Sequence, residues 1–283
     1  MATLVFLHAH PDDEASGTSG TMVLAKEHGH RVVWVCATNG DHGTAPEGCT
    51  TPDEVAAARR LEAEASARVL GVDRLVWLGY ADSGMTGWEQ NHNDLSFARA
   101  NPVEAGRKVA DVLDEEGAEV LVGYDWHGGY GHPDHIMVHT VMNQAAEQAA
   151  RRPRVLQATF NRDRQRQRAQ EARAAGMDLD WDPDGPADDG NPMGTLEADL
   201  HWDVDITDVI ASKRAALQCH ASQSDVQSML SMPDEVFELA FGHEYFIEEG
   251  LAQPMTAAWP FGSSAGSVPD DSPATVRVGD DRA

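Results

Sequence analysis

Cysteine is scarce in this chain. The three that are present, Cys36, Cys49 and Cys219, match neither a disulfide framework nor a metal-binding motif in their spacing. Secreted domains that depend on disulfides are much richer in cysteine, so the composition excludes that class and favours a reducing compartment. We therefore expect a cytoplasmic protein.

Positive charge and long apolar runs are lacking as well. The 21 lysines and arginines stand against 47 aspartates and glutamates, a formal net charge of −26. Such a charge repels nucleic-acid phosphates and anionic lipids, so we expect neither as a partner. No apolar stretch reaches the roughly 18 residues of a membrane span, and the first residues do not resemble an export signal. The sequence does not indicate an oligomeric state.

A regular alternation of strand and helix patterns is what the sequence does contain. Short apolar runs typical of buried strands occur at residues 4–7, 31–37, 73–78, 119–124 and 155–159. Two helix starts lie between these runs, at Thr51 and Asn101. Each of the two is followed directly by a proline and, three residues on, by a glutamate. This order predicts an α/β fold, a parallel sheet with helices on both faces. With the strand order 3-2-1-4-5, strands 1 and 4 lie side by side at the switch point.

The chain is long enough for one large domain, which we expect to span residues 1–253. Inside it, an acidic segment at about residues 178–200 contains helix-breaking prolines and is expected to form a surface excursion or a lid. Residues 254–283 are rich in Gly, Ser, Pro and Asp. Such a composition buries too little apolar area to offset the entropy of ordering, so we expect a flexible tail.

Two clusters of histidine and aspartate follow strands 1 and 4. Residues 10–14 read His-Pro-Asp-Asp-Glu, and residues 132–135 read His-Pro-Asp-His. One His-Pro-Asp mostly marks a turn, and an aspartate before a helix is usually a cap, but their repetition at neighbouring strand ends favours a shared metal site. His10 and Asp13 can reach one ion from a single turn, and His135 can supply a third ligand. Two histidines and a carboxylate suit zinc and also ferrous iron.

These motifs resemble those of the LmbE-like, or PIG-L, family of N-acetylglucosaminyl deacetylases. The resemblance is carried by four segments, residues 9–14, 40–43, 82–85 and 128–135. It extends over about residues 3–225. It implies a Rossmann-like fold with the active site at the carboxyl ends of strands 1 and 4, and zinc bound by His10, Asp13 and His135.

The same resemblance implies a set of catalytic residues. Asp12 would be the general base that activates water, and His132, held by Asp134, would stabilise the oxyanion. The Tyr130 hydroxyl would assist there. A carboxylate beside His132 is expected to favour its protonated, donating form.

Substrate residues are implied by the mycothiol-pathway deacetylases, in which positions matching Arg59, Asp82 and Met85 line the sugar site. Taken alone, Arg59 is more typical of an ion pair on the helix surface with Glu62 or Glu54. The implied activity is metal-dependent hydrolysis of the acetamide of an N-acetylglucosamine-containing small molecule, a mycothiol precursor or a related glycoside. A mycothiol S-conjugate amidase and a non-catalytic sugar-binding homologue are the alternatives.

Overall fold

The apolar runs of the sequence form the central strands of one sheet. The computed structural model describes residues 1–174, 176 and 182–262. The strands are β1 (Thr3–His8), β2 (Arg31–Thr38), β3 (Arg74–Tyr80), β4 (Val120–Tyr124), β5 (Arg154–Thr159), β6 (Trp202–Asp205), β7 (His243–Glu248) and β8 (Thr256–Ala257). The α-helices are α1 (Ser19–Glu27), α2 (Pro52–Val69), α3 (Pro102–Glu116), α4 (Pro133–Gln148), α5 (Arg162–Ala174), α6 (Ile210–Cys219), α7 (Ser224–Leu230) and α8 (Asp234–Phe241).

The sheet order is β3-β2-β1-β4-β5-β7-β6-β8. Strands β1 to β5 are parallel, which confirms the predicted order of the first five. The sheet is mixed beyond them, because β7 runs antiparallel to both β5 and β6. The sequence patterns did not predict β7, α7 or α8, since elements of six to eight residues carry little periodic signal.

Helices cover both faces of the sheet, as predicted. Side chains alternate along β1, so Leu4 and Phe6 pack into one core and Val5 and Leu7 into another. The first core also contains residues of α1, α2 and α6, and the second contains residues of α3 and α4. All four β1 side chains are fully buried, which explains why this strand reads as a continuous apolar run.

The pairing of β1 with β4 positions the functional loops. Leu4, Val5 and Phe6 pair in parallel register with Val120, Leu121 and Val122. The carboxyl ends of both strands therefore open at the same edge of the sheet, and the two histidine clusters meet there.

The acidic excursion packs against one of these loops. Residues 178–181 lie outside the described residues, but the rest is hydrogen-bonded to the chain before α4. The Asp188 amide donates to the Tyr130 carbonyl at 2.9 Å, and the Gly194 amide donates to the Gly129 carbonyl at 2.7 Å. The described part of this segment, residues 182–200, therefore packs along residues 128–131 and forms a wall beside them.

The segment expected to be a tail begins as ordered structure. Strand β8 pairs with β6, and Phe261 is 2% exposed within the first core. The expectation of flexibility from residue 254 therefore does not hold for residues 256–262, because average composition hid their few aromatic side chains. The expected tail beyond residue 262 lies outside the described residues. Among those that are described, no helix combines the length and apolarity needed to cross a membrane.

Replacing Phe261 with alanine should lower the free energy of unfolding by about 3 kcal/mol, because it leaves a cavity in the core. Chemical denaturation measures this loss. The control is Leu95→Ala, whose side chain is 73% exposed and whose removal should change stability by less than about 0.5 kcal/mol. Equal small effects of the two changes would show that the end of the described chain does not contribute to the core.

Candidate metal centre and active site

The turn after β1 has an unusual backbone. Asp12 has a φ of 95°, and among the described residues it is the one non-glycine with positive φ. The chain then enters a short π-helical turn, Glu14–Thr18, before α1. Disfavoured backbone conformations and π-turns both concentrate at functional sites, where the surrounding structure holds them in place.

Three acceptor groups, two ring nitrogens and the Asp13 carboxylate with its two oxygens, form a triangle beside this turn. The distance from His10 Nδ1 to Asp13 Oδ2 is 3.3 Å, that from Asp13 Oδ1 to His135 Nε2 is 3.3 Å, and that between the two ring nitrogens is also 3.3 Å. Ligands that lie about 2.1 Å from a tetrahedral ion are separated by about 3.4 Å. The triangle has the size that a single divalent ion requires.

The other nitrogen of each ring has a hydrogen-bond acceptor. His135 Nδ1 donates to the Gly128 carbonyl at 3.1 Å, and His10 Nε2 donates to Asp134 Oδ2 at 3.1 Å. These bonds leave His10 Nδ1 and His135 Nε2 as lone pairs that face each other and the Asp13 carboxylate. Outer hydrogen bonds of this type are characteristic of histidines that bind metals. Only glycine fits at position 128, because a Cβ there would overlap His135.

The electrostatics of the site also favour a cation. Burial lowers the pKa of His10, but the carboxylates of Asp82, Asp13 and Asp134 outweigh it and raise that pKa well above its ordinary value. Burial raises the pKa of Asp13, but the neighbouring His135 and His10 bring it well below its ordinary value. The surroundings thus stabilise positive charge at His10 and an ionised Asp13.

Other carboxylates lie on the far side of His10. Two overlapping sets of buried side chains are close enough to share one metal ion, the first being His10, His132 and His135 and the second His10, Asp82, His132 and Asp134. Asp134, however, accepts hydrogen bonds from the Ser83 amide and hydroxyl, and Asp82 accepts one from the Gly84 amide. Asp13 likewise accepts a hydrogen bond, from the His10 amide at 2.7 Å, and its carboxylate lies between His10 Nδ1 and His135 Nε2.

Arg59 holds Asp12. Arg59 is 2% exposed, so the prediction of an ion pair on the helix surface with Glu62 or Glu54 is wrong. Residue 59 lies on the face of α2 that packs toward the sheet. Its Nη2 donates to Asp12 Oδ2 at 2.7 Å and its Nη1 to the Gly40 carbonyl at 2.8 Å. Burial raises the pKa of Asp12 to about 7, although the Arg59 charge opposes this.

His132 is not held by Asp134 as expected. Its Nδ1 accepts the Asp134 backbone amide at 3.1 Å and so caps α4, while the Asp134 carboxylate bonds to His10 and Ser83. Burial and the positive charges of His10 and His135 lower the pKa of His132 to about 2. This environment favours a neutral His132 with its proton on Nε2, whereas the resemblance implied a protonated ring.

Except for the fully buried Asp134, the catalytic and substrate candidates line one cleft of about 650 Å³. Asp82, Met85 and Tyr130 are among its walls, with the Tyr130 hydroxyl 3.5 Å from His135 Nε2. The motifs did not indicate several further lining residues, namely Trp88, Phe160, Met193 and Asp225, whereas His42 belongs to the segment 40–43 that carries the resemblance. These four come from segments far apart in the sequence, so no single motif could have indicated them together.

The fold and this cluster define an α/β protein with a His/Asp metal-binding site at the switch point of its sheet. Residues 5–146 match the model of the PIG-L family, described as GlcNAc-PI de-N-acetylase. A 1D-myo-inositol 2-acetamido-2-deoxy-alpha-D-glucopyranoside deacetylase of Nocardioides sp. is 33% identical over 276 residues, covering 86% of this chain and 90% of that protein. The protein of the same name from Nakamurella multipartita is 35% identical over 284 residues, covering 94% and 90%. The chain belongs to the PIG-L family.

Solved structures agree on the fold. The N,N'-diacetylchitobiose deacetylase of Pyrococcus horikoshii superposes with a TM-score of 0.56 at 22% identity, covering 87% of this chain and 83% of that one. Similarity at this level of identity shows a common architecture. It leaves the choice of substrate to the residues of the cleft.

Proposed function

We propose that this protein is a metal-dependent N-deacetylase that hydrolyses the acetamide of an N-acetylglucosamine-containing small molecule, with N-acetylglucosaminyl-inositol as the first candidate. The observation that carries the proposal is the triangle of His10, Asp13 and His135 acceptors with the Asp12 carboxylate beside it. Curated relatives with this activity match most of the chain. The family resemblance and the residue chemistry thus lead to the same reaction.

The three acceptors of the triangle would hold the metal. Imidazole nitrogens and one carboxylate are the ligands of catalytic zinc, and ferrous iron accepts the same set, so we propose zinc with iron as the alternative. When bound, such an ion polarises a carbonyl group and makes water more acidic. Hydrogen bonds to Gly128 and Asp134 would keep both rings in the orientation that binding requires.

Asp12 would act as the general base. Arg59 donates to Oδ2 and leaves Oδ1 free to accept a proton from the attacking water. The water oxygen bonds to the amide carbon, the C–N bond breaks, and the proton passes to the leaving nitrogen, which gives acetate and a free amine. A pKa of about 7 suits a group that takes up and releases a proton near neutral pH.

His132 would stabilise the oxyanion as a neutral donor. Because Nδ1 accepts a backbone amide, the proton lies on Nε2, and the ring lines the same cleft. A neutral donor strengthens its hydrogen bond as charge develops on the oxygen and needs no proton transfer of its own. The Tyr130 hydroxyl would add a second donor. Asp82 and Met85 would contact the sugar.

A small side pocket adjoins the metal-ligand candidates. It measures about 80 Å³ and is lined by Asp13 and His135, with Ala158 and Phe160 behind them. We propose that this pocket receives the methyl group of the acetamide. The curated relatives, which are named deacetylases, support a deacetylase rather than an S-conjugate amidase.

The test is acetate release from N-acetylglucosaminyl-inositol and from free N-acetylglucosamine. It compares chelated enzyme with enzyme restored by zinc or by ferrous iron, and adds the N-butyryl analogue. Metal-dependent release of acetate, fastest from the inositol conjugate and much slower for butyrate, is the expected result. Metal binding without acetate release from either compound would contradict the proposal, and cleavage of S-conjugate amides would then establish the alternative.

A further inference from the structure

The unusual backbone of Asp12 has a partner in the same motif. The Asp12 amide donates to Glu14 Oε2 at 3.0 Å, across a turn in which Asp12 has a φ of 95°. Residues other than glycine rarely adopt this region of φ, so neighbouring groups must hold the turn in place. Arg59 holds the carboxylate of Asp12, and Glu14 holds its backbone.

Glu14 is itself fixed by two distant elements. Its Oε1 accepts the Ser66 hydroxyl at 2.5 Å, from α2, and His220 Nε2 at 2.7 Å, from the end of α6. The Glu14 and His220 side chains are 0% exposed, so water does not compete for these bonds. Hydrogen bonds to a buried carboxylate are short and strong, and Glu14 has little freedom to move.

We propose that His220 and Ser66, acting through Glu14, are positioning residues that hold the general base Asp12 in its catalytic orientation. The inference rests on the proposed role of Asp12 and extends it to residues that contact neither metal nor substrate. A buried ion pair is a weak source of stability compared with well-packed apolar side chains. The direct bond from Glu14 to the Asp12 amide gives this pair a positional role instead.

The main test is His220→Ala in the metal-loaded enzyme. We expect kcat to fall on the order of 10- to 100-fold, since small displacements of a catalytic group have effects of this size. KM should stay within about twofold and the metal content should be unchanged, because the sugar contacts and the triangle are untouched. His220→Gln should recover most of the activity, since an amide N–H can still donate to Glu14.

Lys213→Met provides a matched control on the same helix. Lys213 forms another buried pair, 2.8 Å from Glu244, which accepts the Gly20 and Thr21 amides and does not contact Asp12. Its replacement should lower Tm and leave kcat within about twofold. If His220→Ala and Lys213→Met reduce kcat equally, the effect of His220 is one of general stability and the proposal is wrong.

A double-mutant cycle separates positioning from every other role. In the Asp12→Ala background, His220→Ala should cause no further loss of the residual rate, because the group that it positions is gone. Losses that multiply, or metal loss in His220→Ala, would overturn the inference. Should His220→Ala not fold, Ser66→Ala goes through the same cycle and decides it by the same criteria, since Ser66 donates to the same Glu14 oxygen. An active Asp12→Ala enzyme would instead refute the general-base assignment itself.

Discussion

Asp12→Ala should lower kcat about a thousandfold while the protein still binds one metal ion, the loss expected for removal of a general base. The carboxylate projects from the turn into the cleft, with Oδ2 held by Arg59, and is not part of the triangle of acceptors. Turnover of N-acetylglucosaminyl-inositol and the metal content by atomic emission are the measurements. KM should change little, because Asp12 acts on water rather than on the sugar.

Two comparisons make this prediction specific. Asp12→Asn keeps the shape and removes the basicity, so it should be almost as inactive as the alanine variant. Asp94→Asn removes an exposed carboxylate from a loop and should leave kcat within about twofold. Substantial activity in Asp12→Asn, or metal loss in either Asp12 variant, would show that Asp12 has a different role.

His135→Ala should abolish stoichiometric metal binding and lower kcat/KM by about ten-thousandfold, because the metal's contribution to catalysis is lost with the ion. The Nε2 atom of His135 forms one corner of the triangle, and the bond from Nδ1 to the Gly128 carbonyl orients the ring. Neither His10 nor Asp13 can supply this third ligand. Metal titration followed by gel filtration measures the stoichiometry. Excess zinc should restore little activity.

His139→Ala is the matched control for this change. His139 lies one turn further along α4, where its Nδ1 bonds to the Tyr124 carbonyl at 3.0 Å, away from the triangle. It should keep a full metal complement. If His135→Ala also keeps its metal, the ion is held by the second set of side chains around His10 Nε2, and Asp82→Ala should then lose it.

The local chemistry of the site could be predicted from short segments. His10 and Asp13 belong to one turn, and a turn at the end of a strand can bring side chains three residues apart to one point. The pairing with His135 required only the order of strands β1 and β4, which the alternation of apolar runs and capped helices indicates.

Other assignments failed because they depended on contacts between distant segments. Nothing in the neighbouring sequence shows that Arg59 is buried, because that depends on how α2 packs above the sheet. The Asp134 carboxylate was expected to hydrogen-bond to His132. It bonds instead to Ser83 and His10, because the first turn of α4 directs it inward. Sequence proximity indicated the wrong partner.

The sequence by itself determined the five parallel strands, the helices between them and the residue types around the metal-binding cluster. These follow from local periodicity, capping and spacing, which act within a few residues. Tertiary structure alone decided the antiparallel extension of the sheet, the wall formed by the acidic excursion and the bond from His220 to Glu14, 206 residues away in sequence. Such contacts depend on how separate elements pack, and packing is a property of the whole fold that no short segment encodes.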